Sequence, residues 1–523
     1  MDRRSRISSH LLTKRRRRLW TLLAAGVLVV ATAVPLTLSN LAQADPAGSP
    51  GSNRPTRDVL ANLFEWNWPS VAKECTDVLG PKGYGGVQVA PPQDSLKRTE
   101  LGNGSDTILH PWWEVYQPVD YNLTSRMGNE AQFQAMVATC RKAGVKVYVD
   151  AVINHMTGQG HISYGGVSYT PYNYPDYGPS DFHFKLGQCP SSDGGIQDFN
   201  NLQQVFHCNL LGLEDLATQT NHVQSTLAGY LNKLIGYGVS GFRVDAAKHI
   251  GQDDLNAIFA RLNNTLDGQR PYWALEVFGG GPGLLSPQAF TTAGSVLGLD
   301  GVKQLRDAFR SYPADHVGSI ATLRAFGEES GLTSSSKTLT FVQNHDTERN
   351  GDALNYKTES SRNILANEFI LAFNYGTPQV YAGFAFNTND DSPPSTADGI
   401  ITDTDCANGW VCVDRDQGVA NMVAWHNAVG NAPVSNWWDN QANLIAFSRG
   451  NRGWISINNG PSPMSQTFNT GLRGGSYCDI ISSANYSNGA CSGTSVNVDQ
   501  HGMATVTVPA HGAVAIFGGS RIS

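Results

Sequence analysis

Four short apolar runs, each ending abruptly in charged or imidazole side chains, constrain most strongly what this chain can fold into. They read DAVINH (150–155), GFRVDAAKH (241–249), YWALEVF (272–278) and FVQNHD (341–346). Apolar runs of this length, separated by helical stretches, are typical of buried parallel strands. A (β/α)₈ barrel carries its chemistry at the carboxyl ends of its strands, where these polar residues fall. The pattern therefore predicts a parallel barrel with a polar site at one end.

The remainder of the chain supplies the other elements that such a barrel requires. Helical spacing of apolar residues covers 131–144 and 221–238, and each stretch ends at a glycine that can stop a helix. The candidate strands are Leu60–Trp66, Gly85–Pro91, Lys146–Val152, Phe242–Asp245, Trp273–Phe278, 295–300, Leu339–Val342 and Gln379–Ala382. A closed barrel of this type needs eight strands, which these segments provide.

Two regions depart from the alternation of strand and helix. Residues 153–214 are rich in Gly, Tyr, Pro and Asp and are too long for an ordinary loop, which predicts a loop domain inserted after the third strand. After residue 431, short strand-like segments follow one another without helices, which predicts a C-terminal antiparallel β-sandwich. We therefore expect an α/β fold whose main body is a (β/α)₈ TIM barrel.

The first 44 residues have the layout of a secretory signal peptide. A basic stretch, Arg3 to Arg18, precedes an apolar stretch, Leu19 to Leu38, and the small-x-small site Ala42-Gln43-Ala44. The apolar stretch approaches the ~20 residues that span a bilayer, so an uncleaved anchor is the alternative, but Pro35 and the cleavage site together favour cleavage. We expect a secreted, extracellular protein with no membrane segment after cleavage.

The predicted domains are a signal peptide (1–44), a flexible leader (45–57), the first part of the barrel (58–152), the inserted loop domain (153–214), the second part of the barrel (215–432) and the C-terminal β domain (433–523).

Charge and cysteine content narrow the class of protein further. The leader holds eight of the 37 basic residues and one of the 44 acidic residues, so the rest of the chain has a net charge of −14. Such an acidic protein is poorly suited to bind nucleic acid or an anionic membrane. The eight cysteines include no CxxC pair, and an even number in an exported chain indicates structural disulfides rather than a zinc or redox site.

Three carboxylates at strand ends are candidates for catalysis. Arg243 and Asp245 are two apart on one strand and so share a face, and the guanidinium favours an ionised carboxylate suited to a nucleophile. Glu276 stands alone among apolar neighbours, which raise the pKa of a carboxylic acid as a general acid requires. Asp346 ends another strand. The alternatives are a structural salt bridge for Asp245 and a buried ion pair for Glu276.

One carboxylate as nucleophile and another as acid/base is the apparatus of a retaining glycosidase. The aromatic segment PWWEVYQ (111–117) supports a sugar substrate, since flat aromatic faces stack on pyranose rings, although core packing of one tryptophan is the alternative. His155 and His345, at two strand ends, could donate hydrogen bonds to sugar hydroxyls. Together these features predict a carbohydrate-active enzyme.

The motifs as a set resemble the α-amylase family of retaining glycoside hydrolases, closest to the animal-type enzymes and their secreted bacterial relatives. The resemblance covers nearly all of 58–520 and includes GPKGYGGVQVAPP (80–92), PWWEVYQPVDY (111–121), GLEDLA (212–217) and NWWDNQANLIAFSRGNRG (436–453). It implies a (β/α)₈ barrel, a loop domain after the third strand, and a C-terminal Greek-key β-sandwich. It also implies endo-hydrolysis of α-1,4-glucosidic bonds in starch and malto-oligosaccharides with retention of configuration.

The resemblance also implies a role for individual residues. Asp245 matches the family's nucleophile, Glu276 its acid/base and Asp346 its transition-state-stabilising aspartate. The positions that match substrate contacts are Trp112, Trp113, Tyr116, Gln117, His155, Arg243, Lys248, His249 and His345. The positions that match Ca²⁺ ligands, all oxygen donors as this hard cation prefers, are the side chains of Asn154 and Asp215 and the backbone carbonyls of Phe206 and His249. The implied disulfides are Cys75–Cys140, Cys189–Cys208, Cys406–Cys412 and Cys478–Cys491.

Two departures from the animal-type pattern carry expectations of their own. Arg243 and Asn344 match two of the three chloride ligands of those enzymes, but Gln379 stands where the third, a cation, is found. We therefore expect activity that does not require chloride. The Gly/His-rich loop that follows the third carboxylate in animal enzymes is missing, so the segment 347–352 should form a shorter lid.

Two other functions remain open at this level. An exo-acting α-glucosidase or transglycosylase would use the same barrel and the same carboxylates, and the size of its products would distinguish it. A catalytically inactive carbohydrate-binding protein would lack one of Asp245, Glu276 or Asp346, and all three are present. We expect a monomer, because no exposed apolar helical face is evident.

Overall fold

The computed structural model describes residues 57–102, 107–310, 319–486 and 488–522. The predicted signal peptide, and the predicted leader apart from residue 57, lie outside the described residues. Within the described ranges, no helix is both long enough and apolar enough to cross a membrane.

Eight parallel strands form a closed barrel. They are β1 (Leu60–Leu63), β2 (Gly86–Val89), β3 (Lys146–Ala151), β4 (Gly241–Val244), β5 (Tyr272–Leu275), β6 (Ser295–Leu297), β7 (Thr338–Phe341) and β8 (Thr377–Phe384). Each strand pairs with the next, and β8 pairs in parallel with β1, which closes the sheet. The predicted barrel is confirmed, including its weakest strand at 295–300. Several strands end two or three residues before the predicted limit, because the chain leaves the sheet where the polar residues begin.

At least one helix follows each barrel strand along the chain. The helices are α1 (Trp68–Glu74), α2 (Gly80–Lys82), α3 (Glu130–Lys142), α4 (Leu202–His207), α5 (Asn221–Tyr237), α6 (Gln252–Ala260), α7 (Pro287–Phe290), α8 (Leu299–Phe309), α9 (Thr347–Asn350), α10 (Tyr356–Ala372) and α11 (Gln417–Val429). Helix α3 begins at a reciprocal capping box between Asn129 and Gln132. Helix α5 ends at Gly238, whose φ of 109° is a conformation that glycine adopts without strain. Only 351–355 separate α9 from α10.

Alternation along the strands builds the interior of the barrel in layers. Tyr148 and Tyr272 point inward and meet edge to face, with ring centres 5.7 Å apart. Between them lies Gly241, where an added Cβ would come within 2.3 Å of the Tyr272 carbonyl oxygen. The next inward layer holds Asp150 and Arg243, which are register partners. A packed aromatic floor therefore lies beneath a charged layer at the carboxyl ends of the strands.

The long segment between β3 and α5 contains no strand and consists of turns, isolated bridges, α4 and a short 3₁₀ helix at Pro179–Asp181. A bridge between His155 and Asp215 joins its beginning to its end, and the Cys189–Cys208 disulfide closes a loop within it. All four disulfides implied by the resemblance are present, and the described part of the chain has no free cysteine. The domain boundaries given above remain predictions.

The C-terminal part is an antiparallel β domain, as predicted. After the short β9 (Trp410–Val411), its strands are β10 (Val434–Asp439), β11 (Leu444–Arg449), β12 (Gly453–Asn458), β13 (Met464–Asn469), β14 (Gly475–Cys478), β15 (Ser495–Val498), β16 (Met503–Val508) and β17 (Gly512–Phe517). A four-stranded sheet, β10-β11-β12-β17, packs against the pairs β13–β16 and β14–β15 around Trp454 and Phe468. Sequence reasoning missed β9, β10, β13, β14 and β15.

Candidate active site

Arg243 lies at the centre of a buried cluster of carboxylates. Its Nη1 atom donates to Asp150 Oδ1 at 2.7 Å and to Asp245 Oδ1 at 2.6 Å, while Nη2 donates to Glu276 Oε1 at 2.5 Å. Asp245 and Glu276 directly follow β4 and β5, so adjacent parallel strands place them side by side. Arg243 and Asp245 share a face, as strand alternation predicts.

The backbone at Ala246 fixes Glu276 from a second direction. Ala246 has a φ of 47°, in the left-handed region that residues with a Cβ rarely adopt. Its N–H donates to Glu276 Oε2 at 2.9 Å, so both oxygens of this carboxylate have a donor. Strained backbone of this kind persists only where the surrounding structure holds it, and it is enriched at functional sites.

Asp346 reaches the same site from the end of β7. The Asn344 side chain accepts hydrogen bonds from the backbone N–H groups of Asp346 at 3.2 Å and Thr347 at 2.9 Å, which shapes the turn. His345 lies between Phe64, stacked at 4.5 Å, and Tyr116, at 5.1 Å. Burial, together with nearby guanidinium groups, holds the pKa of His345 well below its ordinary value, so the ring is neutral.

Asp150 belongs to the cluster, although sequence reasoning assigned it no role. Besides the bond from Arg243, it accepts a hydrogen bond from the Tyr116 hydroxyl at 2.8 Å. Tyr116 thereby joins the aromatic segment 111–117 to the buried charges. The signal that could have identified Asp150 is its place in DAVINH, because it is a carboxylate at the end of a predicted strand, like Asp245 and Glu276.

Burial and Arg243 have opposite effects on the pKa values of the clustered carboxylates. Burial raises the pKa of Glu276, Arg243 lowers it in part, and Asp245 raises it further. Burial likewise raises the pKa of Asp245 despite Arg243, and it raises the pKa of Asp150 to about 7. Because Arg243 is shared among three carboxylates, it lowers the pKa of Asp245 less than it would if Asp245 were its sole partner. Asp346 adds a fourth acid, and burial together with the charge of Glu276 raises the pKa of Asp346 well above its ordinary value.

The carboxylates open onto a cleft of about 510 Å³. The predicted site residues that line it are Trp112, Tyr116, His155, Asp245, Lys248, His249, Glu276, His345 and Asp346. Trp113, Gln117 and Arg243 are not among the residues that line it. Trp113 Nε1 donates to Asp390 Oδ1 at 3.0 Å, and Gln117 Oε1 accepts from the Gly158 N–H at 3.0 Å. The geometry therefore gives Trp113 and Gln117 supporting contacts to loops.

Polar side chains on two walls of the cleft are held by backbone carbonyls. His155 Nε2 donates to the Tyr116 carbonyl oxygen at 3.0 Å, and burial lowers the pKa of His155 to about 4. Lys248 Nζ donates to the Phe278 carbonyl oxygen at 3.1 Å. His249 Nδ1 donates to the Val205 carbonyl oxygen at 3.0 Å. Each group is thus fixed in orientation, as a hydrogen-bonding site for a polar ligand requires.

An apolar edge of the cleft was missed from sequence. It consists of Phe199, Leu210, Leu211, Leu213 and Phe278. Leu211 is 87% exposed and has a φ of 53°. Most of these residues lie in the irregular segment between β3 and α5, where no periodicity distinguishes a cleft-lining leucine from a core leucine.

The predicted Ca²⁺ ligands lie at the junction of this irregular segment with the barrel. Asn154 Oδ1 and Asp215 Oδ1 are both buried and have no hydrogen-bond partner among the described residues. The bond from His249 to Val205 brings the turn 247–249 against α4, which contains Phe206. Buried oxygens without a hydrogen-bond partner suit a hard cation. Within the described ranges, no group of three or more His, Cys, Asp and Glu side chains is arranged to hold a metal, and the predicted set includes only one such side chain, Asp215.

Gln379 lies in a small cavity beneath the carboxylates. The cavity is also lined by Arg243 and Asn344, the two residues that match chloride ligands. Gln379 Nε2 donates to Gln88 Oε1 at 2.9 Å. Two neutral amides therefore pair at the position where the animal-type enzymes have a cationic chloride ligand.

A closed parallel barrel whose strand ends bring acidic side chains into one cleft is the architecture of a TIM-barrel enzyme. Comparison with known proteins specifies the class. Residues 111–267 match the family described as "Alpha amylase, catalytic domain", and residues 435–518 match "Alpha amylase, C-terminal all-beta domain".

Individual relatives agree with the family match. An alpha-amylase of Streptomyces violaceus is 39% identical, over 95% of this chain and 79% of its own length. The pancreatic alpha-amylase of Sus scrofa is 38% identical, over 86% of this chain and 92% of its own. The crystal structure of alpha-amylase I from Eisenia fetida is similar, with a TM-score of 0.83 and 37% identity, over 89% of this chain and 98% of that one. The chain belongs to the alpha-amylase family of glycoside hydrolases.

Proposed function

We propose that the protein is a secreted α-amylase that cleaves internal α-1,4-glucosidic bonds of starch and malto-oligosaccharides with retention of configuration. The observation that carries the proposal is the arrangement of Asp245, Glu276 and Asp346 on one cleft. A solved structure of a point mutant of the Eisenia fetida enzyme is described as a maltohexaose complex, which supports a glucan as the ligand of a related cleft. The leader and the four disulfides support secretion.

The proposed mechanism is a double displacement. Asp245 attacks the anomeric carbon, while Glu276 donates its proton to the glycosidic oxygen and the leaving chain departs. Glu276 then takes a proton from water, which displaces Asp245 and restores both carboxyl groups. Asp346 stabilises the positive charge that develops on the sugar ring in each transition state.

The contacts of Arg243 support retention rather than inversion. Its two amino nitrogens hold Asp245 and Glu276 at 2.6 and 2.5 Å. Two carboxyl groups that bind the two amino nitrogens of one guanidinium lie near each other, and retaining enzymes place theirs roughly 5 Å apart. An inverting enzyme separates them by roughly 6.5–9.5 Å to admit a water molecule.

The experiment that tests the proposal follows soluble starch by loss of iodine stain and by appearance of reducing ends. Endo-hydrolysis predicts rapid loss of stain with few reducing ends, because each internal cut shortens long helices of glucan. Slow loss of stain with steady release of one small sugar would replace the proposal with an exo-acting enzyme. A purified chain without activity in the presence of calcium would indicate a binding protein.

Calcium is proposed to bind Asn154 and Asp215 and the carbonyls of Phe206 and His249, where it would join the irregular segment to the barrel. A chelator is then expected to lower the unfolding temperature, because a ligand at 100 times its Kd stabilises by about 2.7 kcal/mol. Differential scanning fluorimetry should show this shift for the wild type and for Asp193→Asn, an exposed change in the same segment. Asp215→Asn should show a much smaller shift, and a full shift in that variant would contradict the assignment.

Activity is proposed to be independent of chloride, since Gln379 is neutral. Adding chloride to rigorously dialysed enzyme should change kcat on starch by less than about twofold, because no second fixed cation favours the anion. Gln379→Arg restores that charge and provides the comparison. A large rise in the wild-type rate on adding chloride would contradict the proposal.

A further inference from the structure

Arg349 makes contacts that the proposed mechanism does not explain. It follows Asp346 by three residues, its side chain is 5% exposed, and it lies outside the set of residues that line the cleft. Its Nη1 atom donates to the His345 carbonyl oxygen at 2.6 Å, and Nε donates to the Asn389 carbonyl oxygen at 3.3 Å. Arg349 therefore ties the turn that carries Asp346 to the segment 386–391 after β8.

The same segment holds Trp112. The Asn389 carbonyl oxygen that accepts from Arg349 also accepts from Trp112 Nε1, at 2.7 Å. The guanidinium carbon of Arg349 is 5.0 Å from the centre of the Trp112 ring and 4.3 Å from that of Phe386, within the range of cation–π attraction. Trp112 is thus connected to Arg349 both directly and through one shared carbonyl oxygen.

The orientation of Arg349 is itself fixed. Its Nη1 atom also donates to Glu348 Oε1 at 2.5 Å, and the Tyr381 hydroxyl on β8 donates to the same oxygen at 3.0 Å. Glu348 is 6% exposed at its side chain, so this ion pair is shielded from water. A planar guanidinium with a fixed fork can hold several acceptors in a defined geometry, which an ammonium cannot.

We propose that Arg349 is a positioning residue that sets the Trp112 ring relative to Asp346, and so aligns the sugar that stacks on Trp112 with the reacting bond. The inference rests on the proposed function, because it assigns a role within that reaction. Trp112 lines the cleft, whereas Arg349 contacts Trp112 without lining the cleft. A substitution of Arg349 should therefore change substrate binding through Trp112. A loss of alignment weakens ground-state and transition-state contacts together and therefore raises KM more than it lowers kcat.

The test compares Arg349→Lys with Lys357→Met on soluble starch and maltohexaose. Lys357 contacts the same segment, through the carbonyl oxygen of Phe386, but none of its described contacts reaches Trp112 or His345. Arg349→Lys is expected to raise KM about tenfold with kcat within about threefold, since the loss of contacts made equally in the ground and transition states appears in KM. Lys357→Met should leave both values within about twofold of the wild type.

A double-mutant cycle with Trp112→Phe separates positioning from general stability. Phenylalanine keeps a stacking ring but lacks the N–H that binds Asn389, so the KM effects of Arg349→Lys and Trp112→Phe should be less than additive. Additive effects, an unchanged KM, or a fall in kcat alone would overturn the role of Arg349. A wild type inactive on starch would instead overturn the proposed function and this role with it.

A gentler variant covers the case in which Arg349→Lys does not fold. Phe386→Leu removes the ring nearest the guanidinium while keeping every charge, and Phe386 is not among the residues that line the cleft. It is expected to raise KM for maltohexaose about threefold with an unchanged kcat. A KM equal to that of the wild type in this folded variant would count against the proposal.

Discussion

Glu276→Gln is expected to lower kcat on starch by about 10³-fold, with KM close to that of the wild type. The change nearly keeps the shape of the side chain, and the amide oxygen can still accept from the Ala246 N–H, but the NH2 group cannot accept from Arg243. Glutamine also lacks the proton that the leaving oxygen needs. General acid–base catalysis of this kind contributes roughly 10²–10⁴-fold. The measurement is the initial rate of reducing-end formation with purified variant and wild type. A variant within about tenfold of the wild type would rule out Glu276 as the acid/base.

A matched control and a second substrate make that result specific. Glu130→Gln changes a carboxylate on the outer surface of α3 and should leave kcat unchanged. A maltosyl fluoride has a leaving group that departs without a proton, so Glu276→Gln should recover much of the rate of its first chemical step on that substrate. Asp245→Asn should remain inactive on starch and on the fluoride, because the nucleophile is needed in both. Recovery in Asp245→Asn without recovery in Glu276→Gln would mean that the roles are assigned the wrong way round.

The barrel could be predicted from sequence because four of its strands are apolar runs that end at charged or imidazole side chains, and helical stretches separate the candidate strands. Even the weakest segment, at 295–300, became a strand, since closure of the barrel requires a partner between β5 and β7. The missed strands of the C-terminal domain have a different origin. The segment MSQTFN (464–469) has one buried side chain, Phe468, so its hydrophobic pattern is nearly absent. Its pairing with β16 comes from tertiary contacts that no local pattern shows.

The candidate site divides in the same way. Asp245, Glu276 and Asp346 could be found because a carboxylate at the end of an apolar strand is conspicuous, and the structure brings all three to one cleft. The contacts of Arg243 with three carboxylates could not be predicted. They join residues on or directly after three different strands, so they depend on the register between those strands. Leu211 could not be found either, since only the fold determines which leucine of an irregular segment faces the cleft.

Arg243→Leu is expected to reduce the stability of the folded protein by about 3–5 kcal/mol, a range found when one partner of a buried ion pair is removed. The side chain of Arg243 is 3% exposed, and its two amino nitrogens bind Asp150, Asp245 and Glu276. Leucine fills much of the volume but leaves the carboxylates without a cation. Activity should fall as well, because the relative position of Asp245 and Glu276 depends on this guanidinium.

The loss of stability should grow with pH, and this dependence identifies its cause. Burial already raises the pKa of Asp150 to about 7 in the folded wild type, against about 3.9 in an unfolded chain. A carboxyl whose pKa is raised by folding binds more protons in the folded state, so it lowers stability progressively as pH rises between those two values. Without Arg243 the folded pKa of each carboxyl rises further, and the destabilised range extends to higher pH. The urea midpoint of Arg243→Leu should therefore approach that of the wild type near about pH 5 and fall well below it near about pH 8. Arg261→Leu, on the surface of the barrel, should show no such pH dependence, and a deficit in Arg243→Leu that is constant with pH would assign the loss to packing instead.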